Sequence, residues 1–213
     1  MIGGFVNFLD SRIESYLDTI NSSSPAPLDA MERYAQEHRF PIIGPLVGKI
    51  LQQLVTLTKA SAVFELGSGY GYSALWMALA MGDGGEIVCT DLKRANANLA
   101  KDYFTAAGQD AKLDFRIGEA IEIFSKETGS FDIVLNDIDK EDYPATIELV
   151  KERLRPGGVF ITDNVLWGGK ILDERPDPET AAIQKFNRML FEDADFTTSI
   201  IPLRDGITLA VKK

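Results

Sequence analysis

Apolar positions recur along the chain at two different periods. Leu9, Ile13, Tyr16, Leu17 and Ile20 fall at helical spacing, and the Ser/Pro-rich stretch "NSSSPAP" ends that segment. Two further amphipathic stretches, about 28–38 and 45–58, predict a second and a third helix. From Ala62 the pattern changes to short apolar runs, "AVFEL", "EIVCTD", "LDFRI", "FDIVLND" and "GVFITD", separated by helical stretches near 72–81, 94–107, 120–126 and 143–154. Such alternation predicts an α/β fold: a doubly wound, mostly parallel sheet with helices on both faces. After one more helix near 178–191, "FTTSIIPLRDGITLAVKK" reads as two strands joined by a turn at Asp205 and Gly206, an antiparallel pair closing the sheet edge. With no internal repeat and no linker long enough to divide it, the chain is expected to form one domain over 1–213, a helical segment (1–60) preceding an α/β core (61–213).

Composition narrows the chemistry. The 213 residues are 45% hydrophobic, enough for one sizeable core. A formal net charge of -10 and a pI near 4.7 argue against nucleic-acid binding, which wants clustered Lys and Arg to displace counterions from phosphate. A single cysteine, Cys89, and a single histidine, His38, exclude an intrachain disulfide and a Cys/His zinc cluster. Cys89 lies in an apolar run and reads as a buried small hydrophobe. His38 stands at a polar helix end, where capping or exposure is expected. "MIGGFVNFLDSR" has neither a basic leader nor a long apolar run, so a soluble cytoplasmic protein without a membrane span is expected.

"FELGSGYGYS" puts Gly67, Gly69 and Gly71 between the first strand and the next helix. Glycines there let the backbone turn tightly and approach a ligand at a helix N-terminus. A dinucleotide fingerprint would carry its third glycine where Tyr72 stands, and the large side chain would keep helix and strand apart. The spacing G-x-G-x-G after an acid, Glu65, is instead the form found in S-adenosylmethionine-dependent methyltransferases, where an acid offsets the ammonium and sulfonium charges. Asp91 ends the second strand, where it would accept hydrogen bonds from ribose hydroxyls in either fold. An ordinary strand-to-helix turn is the plainer alternative for the glycines alone.

The fourth apolar run ends in "NDIDK" and the fifth in Asp163 and Asn164. If those strands are neighbours, Asp137 converges with the Asp163, Asn164 pair beyond their carboxyl ends. Three oxygen donors without sulfur or imidazole suit Mg²⁺, Mn²⁺ or Ca²⁺. Alternation would aim Asp139 to the same side as Asp137. Helix capping by these acids is the competing reading.

At these residues the chain resembles a known family. "ELGSGYGYS", "DIDKEDY", "LRPGGVFITDNVLWGGKILD" and "LRDGITLAVKK" are similar to the cation-dependent O-methyltransferases of the caffeoyl-CoA and catechol type, the bacterial family 3 group. The resemblance runs from about Pro41 to Lys213. It implies a Rossmann-like class I methyltransferase fold with a seven-stranded sheet, and S-adenosyl-L-methionine contacts from Glu65, Gly67, Ser68, Gly69, Ser73, Asp91, Ala120 and Asp139. It further implies a divalent cation, Mg²⁺ before Mn²⁺ or Ca²⁺, on Asp137, Asp163 and Asn164, with Lys140 beside the acceptor hydroxyl and a homodimeric assembly. Ile138 between the two acids and Ser68 in the glycine loop depart from the family's more usual small residue and Thr.

The activity so implied is methyl transfer to one oxygen of a small catechol-like or hydroxycinnamoyl-type aromatic. Asp137 would chelate the metal that orients the acceptor, and Lys140 would take the phenolic proton. Trp167, on a loop with Gly168 and Gly169, is read as an apolar wall for the acceptor ring, with core packing as the alternative, and "KILDERPDPET" as a flap beside it. Arg12, Lys170, Arg175 and Arg204 are the cations available if the acceptor is a coenzyme A ester. Competing functions are methylation of a hydroxylated tRNA base, an NAD-dependent oxidoreductase, for which the third glycine and a proton relay are missing, and a cofactor-binding regulator without turnover.

Overall fold

The computed structural model describes residues 10–21 and 24–213. Seven strands form one sheet: β1 (Ala62–Leu66), β2 (Glu86–Asp91), β3 (Leu113–Ile117), β4 (Phe131–Asn136), β5 (Leu154–Thr162), β6 (Phe196–Ile201) and β7 (Ile207–Lys212), in the spatial order β3-β2-β1-β4-β5-β7-β6. The first five pair in parallel and the last two join antiparallel. The expected doubly wound sheet with a C-terminal antiparallel pair is what forms. β7 does more than close an edge: it is inserted between β5 and β6 and is hydrogen-bonded on both sides.

Around the sheet lie α1 (Ser11–Ile20), α2 (Ala26–His38), α3 (Gly44–Thr58), α4 (Tyr72–Ala78), α5 (Arg94–Ala106), α6 (Ala120–Ser125), α7 (Tyr143–Arg153) and α8 (Pro178–Glu192). Successive strand side chains point to opposite faces. Val63 and Ile133 therefore pack with Leu51 of α3 and Leu75 of α4, whereas Phe64 and Val134 pack with Ile147 of α7 and Phe186 of α8. Both faces are covered, which is why the parallel strands read as continuous apolar runs rather than as alternating ones. Leu9 falls outside the described residues. The remaining apolar face of α1 is largely exposed at Ile13, Tyr16 and Ile20.

Local chemistry sets the element ends. The Asp177 carboxylate accepts the Thr180 N–H at 2.8 Å and Pro178 occupies the first turn of α8. α2 and α3 both terminate on a residue in the left-handed region, Arg39 and Lys59. Helix α4 stops at Ala78, short of the 81 expected. β5 starts earlier than expected, at Leu154, with a register shift opposite Phe131 and Ile133. Among the described residues no helix is long and apolar enough to cross a membrane.

The strand order reverses at β1. The chain leaves β1 toward β2 on one side and β4 returns on the other, so the loops after β1 and β4 diverge and leave a crevice at their carboxyl ends.

Candidate active site

Three strand tips are stitched together at that crevice. Asp137 N–H donates to Leu66 C=O at 2.9 Å, and Asp163 N–H donates to Asn136 C=O at 3.2 Å. These two bonds step from β1 to β4 to β5 and bring Asp137 and Asp163 to neighbouring positions. On the other side, Ser68 N–H donates to Thr90 C=O at 2.7 Å and Gly67 N–H to Thr90 Oγ1 at 3.1 Å, fixing the glycine loop to β2. Gly67, Gly69 and Gly71 all have positive φ. At Gly67 the reason is close approach as well as dihedral: a Cβ there would lie 2.5 Å from the Asp137 carbonyl oxygen.

The loops enclose a cleft of about 960 Å³. Gly67, Ser68, Gly69, Ser73, Asp91 and Ala120 line one part of it; Asp137, Asp139, Lys140, Asp163, Asn164 and Trp167 line the other. Of the residues expected to contact the cofactor, Glu65 alone is not on the wall. It lies beneath the loop, 1% exposed, where its carboxylate accepts from Ser73 Oγ and faces Cys89 Sγ at 3.8 Å. Burial pushes its carboxyl up to about 7 against the opposing effect of the Ser73 and Ser68 hydroxyls. The same burial raises the Cys89 thiol, in keeping with a buried, unreactive cysteine. His38 stacks on Tyr34 at the exposed end of α2, with Nδ1 2.9 Å from the Tyr34 carbonyl.

In the acidic part, Lys140 folds inward and is only 12% exposed along its side chain. Its Nζ donates to Asp137 Oδ1 at 3.0 Å and to the Ile138 carbonyl at 3.2 Å. It lies 5.0 Å from the Tyr143 ring centroid and 5.7 Å from that of Trp167. Burial raises the Asp137 carboxyl, an effect the Lys140 charge opposes. Asp163 is pushed up to about 7, first by burial and then by the neighbouring Asp137 charge. A buried carboxylate whose proton affinity is raised further by a neighbouring carboxylate marks a place where added positive charge is favourable. Asn164 beside them holds φ 59 and Trp167 holds φ 47, left-handed conformations that a β-carbon disfavours.

Among the described residues no group of three His, Cys, Asp or Glu side chains stands ready for a metal. The donor set is two carboxylates and the Asn164 amide, all oxygen, which fits a hard divalent cation that keeps some ligands from water or substrate. The glycine loop, with Gly67, Ser68 and Gly69 on the wall, opens onto the same cleft.

Sequence reasoning missed the wall in front of the strands. Phe40, Pro41, Ile42 and Ile43, between α2 and α3, line the cleft, as does Glu32. They are held there by phenols of the glycine loop: Tyr70 Oη donates to Met31 C=O at 2.9 Å, and Tyr72 Oη donates to Glu32 Oε1 at 2.8 Å. Tyr72, read in the sequence only as the residue that displaces a third glycine, is thus one of two latches for α2. The segment expected as a flap is tied down by Gln184, whose Nε2 donates to the carbonyls of Ile171 and Asp173, each at 3.0 Å.

Residues 24–213 match the sequence family described as O-methyltransferase. The chain is 34% identical over 170 residues to mouse catechol O-methyltransferase domain-containing protein 1, covering 77% of this chain and 65% of that protein. It is 32% identical over 219 residues to catechol O-methyltransferase of Niastella koreensis, covering 97% of this chain and 99% of that one. The crystal structure of the O-methyltransferase TomG from Streptomyces achromogenes in complex with S-adenosylmethionine superposes with a TM-score of 0.87 at 28% identity, over 95% of this chain and 96% of that one. With a glycine loop and an acidic strand-tip cluster meeting in one cleft, and a family match that spans nearly the whole sequence, the chain belongs to the O-methyltransferase family.

Proposed function

We propose that the protein transfers a methyl group from S-adenosyl-L-methionine to one hydroxyl of a catechol-like aromatic, with a divalent cation held by Asp137, Asp163 and Asn164. The observation that carries this reading is the contact of Gly67 with the Asp137 backbone, which sets the glycine cradle directly against the acidic cluster. Bound there, S-adenosylmethionine would supply an electrophilic methyl group and a divalent cation on Asp137, Asp163 and Asn164 would lower the pKa of a phenol.

The chain's own residues do the rest. Gly67, Ser68, Gly69 and Ser73 receive the cofactor's methionine end, Asp91 its ribose and Ala120 its base, with Asp139 beside them. Trp167 gives the acceptor ring an apolar wall. Lys140, recessed between Asp137 and two aromatic rings, is the group positioned to accept the phenolic proton in its neutral amine form, once the ammonium that donates to Asp137 has released a proton to water. Holding both reactants in one cleft converts a bimolecular encounter into a step between fixed partners.

The test is a panel of catechols, flavonoids and hydroxycinnamoyl thioesters assayed for methyl transfer with and without Mg²⁺, alongside calorimetry with S-adenosylhomocysteine and NAD. Tight NAD binding with no response to S-adenosylhomocysteine would reject the reading.

A further inference from the structure

The cleft wall carries eight acidic side chains and two basic ones, Lys140 and Arg204. Lys140 is engaged by Asp137 at 3.0 Å. Arg204 takes part in no ion pair or side-chain hydrogen bond among the described residues. It is exposed to the cleft, and its positive charge is felt by Asp163.

The backbone holds Arg204 where it is. Its turn is bonded to the segment that follows the Asp163, Asn164 pair: Leu166 N–H donates to Asp205 C=O at 2.7 Å and Val165 N–H to Gly206 C=O at 3.0 Å. Arg204 itself adopts φ 52, a conformation that costs a side-chain-bearing residue roughly 1–2 kcal/mol and that glycine would take freely. The side chain then lies over Gly44, the first residue of α3. A Cβ at Gly44 would come within 3.3 Å of Arg204 Cζ. The positive end of a helix gives a guanidinium no electrostatic return. An unpaired cation kept at a strained position, over a helix start and inside an acidic cleft, lacks an anion.

Resting on the methyl-transfer reading above, we propose that Arg204 determines acceptor specificity by pairing with a carboxylate carried on the aromatic diol. The planar fork of a guanidinium matches a carboxylate through two parallel hydrogen bonds. With the diol oxygens at Asp163 and Asn164 and the ring against Trp167, the Arg204 turn borders the same end of the cleft, so the acid group projects from the ring away from the reacting hydroxyl.

The experiment compares 3,4-dihydroxyphenylacetate, its primary amide and the corresponding phenethylamine as acceptors for wild type, Arg204→Gln, Arg204→Lys and Arg204→Glu. It also measures binding of the acid and the amide to the S-adenosylhomocysteine complex. Wild type should prefer the acid. In Arg204→Gln the acid-to-amide ratio in both kcat/KM and affinity should fall about 10- to 100-fold, the scale of a charge-assisted hydrogen bond. Arg204→Lys should retain part of the preference, and Arg204→Glu should turn it toward the amine. An acid-to-amide ratio unchanged across the four proteins, with wild type active on both, would overturn the proposal and leave Arg204 as a counter-charge for the acidic cluster. A wild type that binds S-adenosylhomocysteine yet methylates none of the three diols would instead strike the methyl-transfer reading, and the proposal with it.

Discussion

Gly67 and Asp137 are in backbone contact: a β-carbon at Gly67 would sit 2.5 Å from the Asp137 carbonyl oxygen and 2.9 Å from its carbonyl carbon. The glycine loop and the strand tip at Asp137 therefore cannot move independently. Gly67→Ala imposes both this clash and a β-carbon at φ 80. It should destabilise the fold by about 2 kcal/mol or more and weaken S-adenosylhomocysteine binding in parallel. Urea unfolding and calorimetry on the same variant check both, and a variant with native stability and affinity would mean the loop yields.

Metal removal separates the two halves of the cleft. Chelation should abolish turnover while leaving S-adenosylhomocysteine affinity largely intact, and Asp163→Ala should behave like the chelated protein. Full activity after exhaustive EDTA treatment would reduce Asp137, Asp163 and Asn164 to turn and cap residues.

Lys140→Ala should lower kcat by roughly 10² to 10⁴, the range of positioned proton transfer, with a much smaller change in acceptor or cofactor affinity. A nitrocatechol already ionised at neutral pH needs no base, so the loss should shrink on it. Equal losses on catechol and nitrocatechol would assign Lys140 to orientation alone.

Glu65 makes stability pH-dependent. Its carboxyl titrates near 4.5 when exposed and is pushed up to about 7 in the fold by burial. Below about 4.5 both states hold the proton and its favourable contribution is complete. As pH rises toward 7 the unfolded chain releases the proton first, and that contribution is lost, by up to about 3 kcal/mol. Glu65→Gln should flatten the decline in unfolding free energy between pH 5 and 7, leaving the part that belongs to Asp163 and Asp137, which shift in the same direction. An unchanged slope in the variant would mean that Glu65 is ionised throughout.

The strands and most of the site were legible because their signals are local. "AVFEL" and "FDIVLND" are largely apolar on both faces, and Asp137 and Asp163 each stand one residue beyond the last paired residue of β4 and β5. Trp167 and Asn164 were legible as residue types, not as left-handed conformations, since nothing in "TDNVLWGG" apart from its glycines marks where φ turns positive. The placement of Phe40 and Ile42 was hidden for a different reason. It depends on Tyr70 and Tyr72 reaching across some forty residues of chain to Met31 and Glu32. Such pairing follows from the packing of α2 on the glycine loop, and periodicity within either segment carries no trace of it. Arg204 was legible only as one of four cations available to a charged acceptor; its place over Gly44 depends on the turn's bonds to Val165 and Leu166, which lie some forty residues away in the chain.

The position of β7 has a consequence for synthesis. The strand that separates β5 from β6 is translated after both of them. Until β7 docks, β5 has an open edge and β6 has no neighbour in the sheet. The emerging chain must keep its penultimate strand from adding to β5 directly or to another chain. Pro202 and the Arg204–Gly206 turn reverse the chain between β6 and β7, so β6 reaches the sheet only through β7.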